Sequence, residues 1–139
     1  MRYLAIDYGN KRTGLAICDQ SETFASPLQV LPSNPNVLIK KIAEIVESES
    51  IAEIVLGLPL NMDDSKGHQA KIVEQFANLL KKYIDIPINF QDERLSTFQA
   101  KEKIAPAELT RKKKKKRLDA IAAAQILETF LELKKQNPN

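Results

Sequence analysis

The chain has no tryptophan, one cysteine, one histidine and four glycines in 139 residues, and aromatic side chains make up only 6% of it. Each shortage excludes something. With so few rings the interior has to be aliphatic, packed from Ile, Leu, Val and Ala, and the 43% apolar content is enough to build it. A single cysteine, Cys18, excludes an intramolecular disulfide and any zinc site built on several thiolates. Set inside an apolar run, Cys18 reads as a small core residue. The lone His68 reads as a surface residue rather than a ligand. No apolar stretch approaches the roughly 20 residues that span a bilayer, and the chain opens on a strand-like segment rather than a signal peptide. A soluble, cytoplasmic protein with no membrane partner is expected. No internal repeat or flexible linker appears, and the length fits one domain over residues 1–139.

Charge is nearly balanced overall, with a formal net charge of +3, but it is unevenly placed. Arg111, Lys112, Lys113, Lys114, Lys115, Lys116 and Arg117 form an unbroken basic run. A block of one sign is commonly a solvated, mobile segment. It also attracts polyphosphate chains with salt-sensitive affinity. Aromatic residues do not interleave with it, so stacking on single-stranded bases is not indicated.

Periodicity gives the element order. Met1 to Ile6 reads as a buried strand, Tyr8-Gly9-Asn10 as a turn, and Thr13 to Cys18 as a second strand close enough to form a hairpin. A weaker strand lies near Ala25 to Leu31, with Pro27 marking it as an edge, and Pro32 to Asn36 is a loop. From Val37 to Glu49, Leu38, Ile42, Ile45 and Val46 recur at helical spacing. Ala52 to Leu58 is a near-continuous apolar run typical of a central parallel strand. A loop from Pro59 to Gly67 leads to a second amphipathic helix carrying Ile72, Val73, Phe76, Ala77 and Leu80, with Asp64 or Ser65 as its cap. Ile84 to Phe90 predicts another strand. Ser96 and Gln99 fit a capping box opening a short helix to Ile104, and a last helix is expected from near Lys116 to Lys135. A hairpin-led sheet that continues as alternating strand and helix predicts an α/β fold with a mixed sheet and helices on its faces.

Three acidic residues stand at the edges of apolar segments: Asp7 after Arg2 to Ile6, Glu93 within Asp92-Glu93-Arg94, and Asp119 at the expected opening of the last helix. A carboxylate there is held by a regular element yet still faces solvent, as a divalent-cation site requires. Lys11 and Arg12 place positive charge beside Asp7, and Gly9 and Gly14 allow a tight turn and close approach to the backbone. The loop from Gly57 to Ser65 follows a buried strand and precedes a helix, a common place for anions. Arg94 is near enough to Glu93 to steady an acid or grip a phosphate. Each feature also has a plain structural reading: Asp7 as a turn former, Asp92-Glu93 as a polar loop, and Asp119 as an acid favoured at a helix N-terminus.

Together the segments Asp7 to Ala16, Gly57 to Asp63, Asp92 to Thr97 and Leu118 to Ala123 resemble the YqgF/RuvX family, described both as Holliday-junction resolvases and as pre-16S rRNA nucleases. The resemblance covers nearly the whole chain, with two departures: Asp64, where the family usually has glycine, and a basic run denser than the family leads one to expect. It implies an RNase H-like fold, a five-stranded mixed sheet with helices on both faces. It implies that Asp7, Glu93 and Asp119 form a catalytic site holding Mg²⁺ or Mn²⁺, with two ions about 3.5–4 Å apart. Asp7 would bridge the ions, Glu93 would hold the one that activates water, and Asp119 the one at the leaving oxygen. Lys11, Arg12, Arg94 and the run Arg111 to Arg117 would position nucleic acid. The substrate expected first is the 5′ end of precursor 16S rRNA. Branched DNA, as for a junction resolvase, is the alternative, and monomer and homodimer both stay open. A non-catalytic RNA-binding ribosome assembly factor is a rival that the basic run serves equally well. A small ATP-using phosphotransferase is a remoter one, since a single domain offers no evident adenosine pocket.

Overall fold

The structure, a computed structural model, describes residues 1–63, 65–93 and 111–136. Their elements run β1 (Tyr3–Tyr8), β2 (Arg12–Cys18), β3 (Ala25–Pro32), α1 (Pro35–Ser48), β4 (Glu53–Leu58), α2 (His68–Lys81), β5 (Ile88–Asp92) and α3 (Arg111–Gln136). The strands make one five-stranded sheet in the order β3-β2-β1-β4-β5. β1, β2 and β3 form an antiparallel meander, while β4 lies parallel to β1 and β5 parallel to β4. The expected mixed sheet is present, with helices on both faces.

Alternation along the strands sorts side chains between those faces. Leu4, Ile6, Leu15, Ile54 and Leu56 point to one side and pack against Leu38, Ile42 and Ile45 of α1 and Val73, Phe76 and Leu80 of α2. Tyr3, Ala5, Ala16, Cys18 and Val55 point to the other and pack against Ala123, Ala124, Ile126, Leu127 and Leu131 of α3. Cys18 is buried there, as its setting predicts.

Several boundaries differ from the sequence reading for identifiable reasons. β1 continues to Tyr8, so Asp7 lies inside a strand and its backbone is fixed by the ladder. α1 begins at Pro35, because the Asn34 side chain accepts the Asn36 N–H at 3.1 Å and Pro35 suits a first helical turn. α2 is not capped by Ser65. Its N-cap is Gly67, with no side-chain cap bond, while Ser65 donates through N and Oγ to Asp63 at 3.1 and 2.6 Å. Asp64 lies outside the described residues, as does the capping box at Ser96 to Gln99 with its short helix. Ile84 closes the end of α2, its N–H reaching Leu80 O at 3.0 Å, so β5 starts only at Ile88. The largest difference is α3, which starts at Arg111 rather than near Lys116. The basic run is thus helical, as good helix-forming residues joined to a firmly packed helix can be. Asp119 therefore sits in the third turn of α3, not at its opening, and the helix N-terminus does not explain it.

Candidate active site

Asp7 stands near the carboxyl end of β1, paired across the ladder with Gly14 of β2 and one residue beyond the Ile6–Leu56 register pair with β4. Glu93 follows β5, whose last residue Asp92 pairs with Leu58. Three neighbouring strand ends thus carry Asp7, Gly57 and Glu93 towards one point. Gly57 makes room there. A Cβ on it would run into Glu93 Oε1 and would lie 2.7 Å from Ile126 Cδ1. Glu93 therefore leans over the end of β4 and reaches Asp7, with which it shares a side-chain hydrogen bond.

Two carboxyls in contact cannot both be ionised without large repulsion. Burial, first, then the hydrogen bond to Asp7, then the charges of Asp7 and Asp92 push Glu93 up to about 9. Burial also raises Asp7, while the bond from Glu93 opposes that rise. Burial and mutual repulsion thus favour a proton shared within the Asp7–Glu93 pair. Tyr8 beside them is fixed by stacking on Phe76, with centroids 4.1 Å apart and planes 7° from parallel. Its carbonyl accepts from Gln69 Nε2 at 3.4 Å, tying α2 to the end of β1.

Asp119 reaches the same region from the opposite layer. A Cβ on Gly14 would collide with the Asp119 carbonyl oxygen and stand 3.0 Å from Ala120 N. The backbone of α3 thus lies directly on β2, at the residue paired with Asp7. The Asp119 carboxylate is held through Oδ2 by Arg12 Nε at 3.0 Å, with both side chains about one third exposed, 30% and 31%. Among the described residues, no three of His, Cys, Asp and Glu stand close enough together to hold a metal ion. Asp7 and Glu93 form the contact pair, and Asp119 joins them through Gly14 with its charge met by Arg12.

The other predicted site residues divide. Lys11 is exposed in the turn before β2, and its carbonyl accepts the Ser33 N–H at 3.0 Å. Arg12 opens β2 and is engaged with Asp119. Arg94 lies outside the described residues. Arg111 to Arg117 form the first turns of α3, and their side chains lie outside the described ones. His68 begins α2 and takes no part in the pair. Sequence reasoning missed the role of Gly57 as the space Glu93 occupies, and it missed the Arg12–Asp119 ion pair. The first had a signal, a glycine in an otherwise bulky buried strand. The second had none, because its members are 107 residues apart.

The family model described as "RuvX: Holliday junction resolvase" matches residues 1–133. The chain belongs to the RuvX family. Among relatives of this RuvX-family chain is the "Putative pre-16S rRNA nuclease" of Maridesulfovibrio salexigens, 41% identical over 132 residues, covering 94% of this chain and 98% of the relative. A protein of the same name from Rhodopirellula baltica is 42% identical, covering 94% of this chain and 76% of the relative. The fold is similar to that of Thermus thermophilus RuvC solved with a Holliday junction substrate, with a TM-score of 0.61 at 14% identity, covering 97% of this chain and 96% of RuvC. It is also similar to Fowlpox virus resolvase solved with Holliday junction DNA, with a TM-score of 0.54 at 16% identity, covering 96% and 98%. The chain therefore has the RNase H-like fold of RuvC, as the motifs imply. The family's description and the relatives' names are all those of nucleases.

Proposed function

We propose that this RuvX-family protein is a divalent-cation-dependent nuclease that hydrolyses phosphodiester bonds, acting in the cytoplasm on the 5′ end of precursor 16S rRNA. The observation that carries the reading is the Asp7–Glu93 pair. Two carboxyls pressed together at the ends of β1 and β5 resist being ionised together near neutral pH, and added positive charge would relieve that repulsion. The donors are all oxygen, which suits Mg²⁺ or Mn²⁺ rather than softer ions, and Gly57 leaves the space in which Glu93 lies to reach Asp7. Asp7 and Glu93 would hold the cation, with Asp119 contributing from α3. When bound, such a cation supplies Lewis-acid stabilisation of charge on a phosphoryl group.

The chain's own residues do the rest. Asp7 is held by the strand ladder, so its carboxylate keeps one direction while substrate comes and goes. Glu93, placed against Asp7, would serve as its ionised neighbour when a cation is held there. Lys11, exposed in the turn, and Arg12, at the head of β2, draw the phosphate backbone towards the pair. Arg94 and the run Arg111 to Arg117 extend that basic path. Precursor rRNA is chosen over branched DNA because the relatives at about 40% identity are named for it. The likeness to RuvC rests on the fold alone.

The test is a cleavage assay in Mn²⁺ and in Mg²⁺, wild type against Asp7→Asn, offering a labelled four-way DNA junction and a structured RNA with a single-stranded 5′ extension. Cation-dependent cleavage of the RNA, lost in the variant, is expected. Cleavage of the junction alone would reassign the protein to resolution of branched DNA. Tight RNA binding in EDTA with no cleavage of either substrate would make it a non-catalytic binder.

A further inference from the structure

The helices α1 and α2 carry more apolar surface than the sheet takes from them. Leu38, Ile42 and Ile45 seat α1 on the strands, and Val73, Phe76 and Leu80 seat α2. A second stripe runs along the flank of α1 at helical spacing: Asn36, Ile39, Lys40 and Ala43. With Leu79 and Tyr83 from the end of α2 it lines an open groove of about 350 Å³. Tyr83 is 66% exposed, and Val37 on the neighbouring flank of α1 is 57% exposed. Contiguous apolar surface rimmed by polar residues marks a contact site on a small domain. Charge around the groove is one-sided. No carboxylate lines it, and Lys40 does. On the exposed side of α2, Lys71, Gln75, Asn78 and Lys82 recur at helical spacing with no acid in the row. Lys40, Lys71 and Lys82 form no ion pair among the described residues, whereas Lys41 is matched by Glu44 at 3.8 Å. Glu47, further along α1, offsets one of the three lysines.

We propose that this groove is the docking site for an acidic amphipathic helix of a partner protein. Ile39 and Ala43, like Leu79 and Tyr83, are one helical turn apart. Apolar side chains three and four residues apart on an incoming helix therefore fit between the two pairs. Acidic residues along the edges of that helix would meet Lys40, Lys71 and Lys82. RNA is a poorer occupant, because a phosphate backbone is held by cations and gains nothing from a floor of Ile39, Ala43 and Leu79. A second copy is poorer too, because a two-fold contact sets the same face against itself, lysines included. The groove lies on the face of the sheet opposite α3. Tyr83 precedes the start of β5, whereas Glu93 follows its finish. A helix bound in the groove leaves the strand-end carboxyls open, so the partner locates the protein rather than blocking it.

A displayed library of random peptides about four helical turns long, selected on the full chain, tests the assignment. Enriched sequences should carry Asp or Glu around apolar residues spaced three and four apart. The best of them, made with a fluorescent label, is then titrated by anisotropy. Tyr83→Ser should weaken its binding about tenfold or more, as loss of an aromatic anchor does. Lys40→Glu should weaken it about threefold or more, with the larger effect at low salt. Both residues are exposed, so both variants should keep the wild-type circular dichroism and Tm. Selection of no peptide, or of peptides without acids, would overturn the proposal. So would binding that survives both substitutions, the result expected if acidic peptides merely adhere to the run Arg111 to Arg117. Dimerisation in sedimentation that Tyr83→Ser abolishes would give the groove to a second copy. RNA binding lost in both variants would give it to nucleic acid. Either result would overturn the proposal as well.

Discussion

On one face of the sheet, Leu4, Ile6, Leu15, Ile54 and Leu56 meet the large side chains of α1 and α2. On the other, Gly14, Ala5 and Ala16 meet the Ala-rich stretch of α3, close enough that the α3 backbone rests on Gly14. The first face is spaced by side chains throughout; the second is spaced by Ile126, Leu127 and Leu131 along much of α3 but by backbone alone at Gly14. Bulk gives cohesion, since burying a large aliphatic side chain is worth about 1.5–3 kcal/mol. Small residues give position, since a helix with no side chain beneath it has little freedom to shift. The candidate site lies where the second arrangement reaches the strand ends, and its acids come from both kinds of support: Asp7 and Glu93 from the sheet, Asp119 from the closely seated helix.

Substitutions that treat the two faces differently test this contrast. The largest loss of stability should come from the bulky face. Leu4→Ala or Ile42→Ala is expected to cost about 2–5 kcal/mol by urea denaturation, while cleavage per folded molecule stays near wild type at low temperature. Gly14→Ala comes next, at about 1–3 kcal/mol for an inserted methyl, but here cleavage should fall much further than stability, because α3 is lifted and Asp119 moves with it. If Gly14→Ala loses stability and keeps full cleavage, close seating does not position the site.

The carboxyl pair gives a smaller effect with a definite sign. Glu93 is raised from 4.5 to about 9 in the folded protein, so the folded state holds a proton that the unfolded chain has released. Its stabilising contribution is complete below about pH 4.5 and is lost as pH rises through about 9. In EDTA, Tm should fall between pH 5 and pH 9, and Glu93→Gln should flatten that slope. Saturating Mn²⁺ should also reduce it, by supplying the charge that the proton supplies in its absence. A Tm that rises over this range in EDTA would contradict the shared proton.

The smallest effect lies at the far end of α3. Lys134 donates to Tyr3 Oη and to Glu22 Oε1, the latter at 2.7 Å, and sits 4.8 Å from the centre of the Tyr3 ring. Those partners, Glu22 first, raise its pKa. Exposed as it is, Lys134→Met should cost about 1 kcal/mol or less, with cleavage unchanged.

Most of this architecture was legible in the chain because each strand and helix carries its own period. Leu38, Ile42 and Ile45 mark α1 without reference to anything else, and Leu4 against Ala5 already shows which face each strand residue takes. Legibility ended where a partner, not a period, set the outcome. Arg111 to Arg117 have no apolar rhythm, so nothing local indicated that α3 begins there, and Asp119 was misplaced at its opening. Ser65 has the right chemistry for a helix cap but is taken by Asp63. The three acids stand out as candidates because their local settings are distinctive. That Glu93 would lie over Gly57 and touch Asp7, while Asp119 would be held by Arg12, depends on contacts spanning most of the chain.

The order in which those contacts become available has a consequence of its own. The β1–β2–β3 meander needs only the first 32 residues and can pair early, because short loops close at little entropic cost. Seating α3 on Gly14 requires Asp119, separated from that meander by the rest of the sheet. During synthesis from the N-terminus the acidic site is therefore the last part of the molecule to be assembled. A chain that has not yet reached Asp119 has the meander that carries Asp7 but not the helix that seats on Gly14, so the strand-end carboxyls and the helix acid meet only after most of the fold is in place.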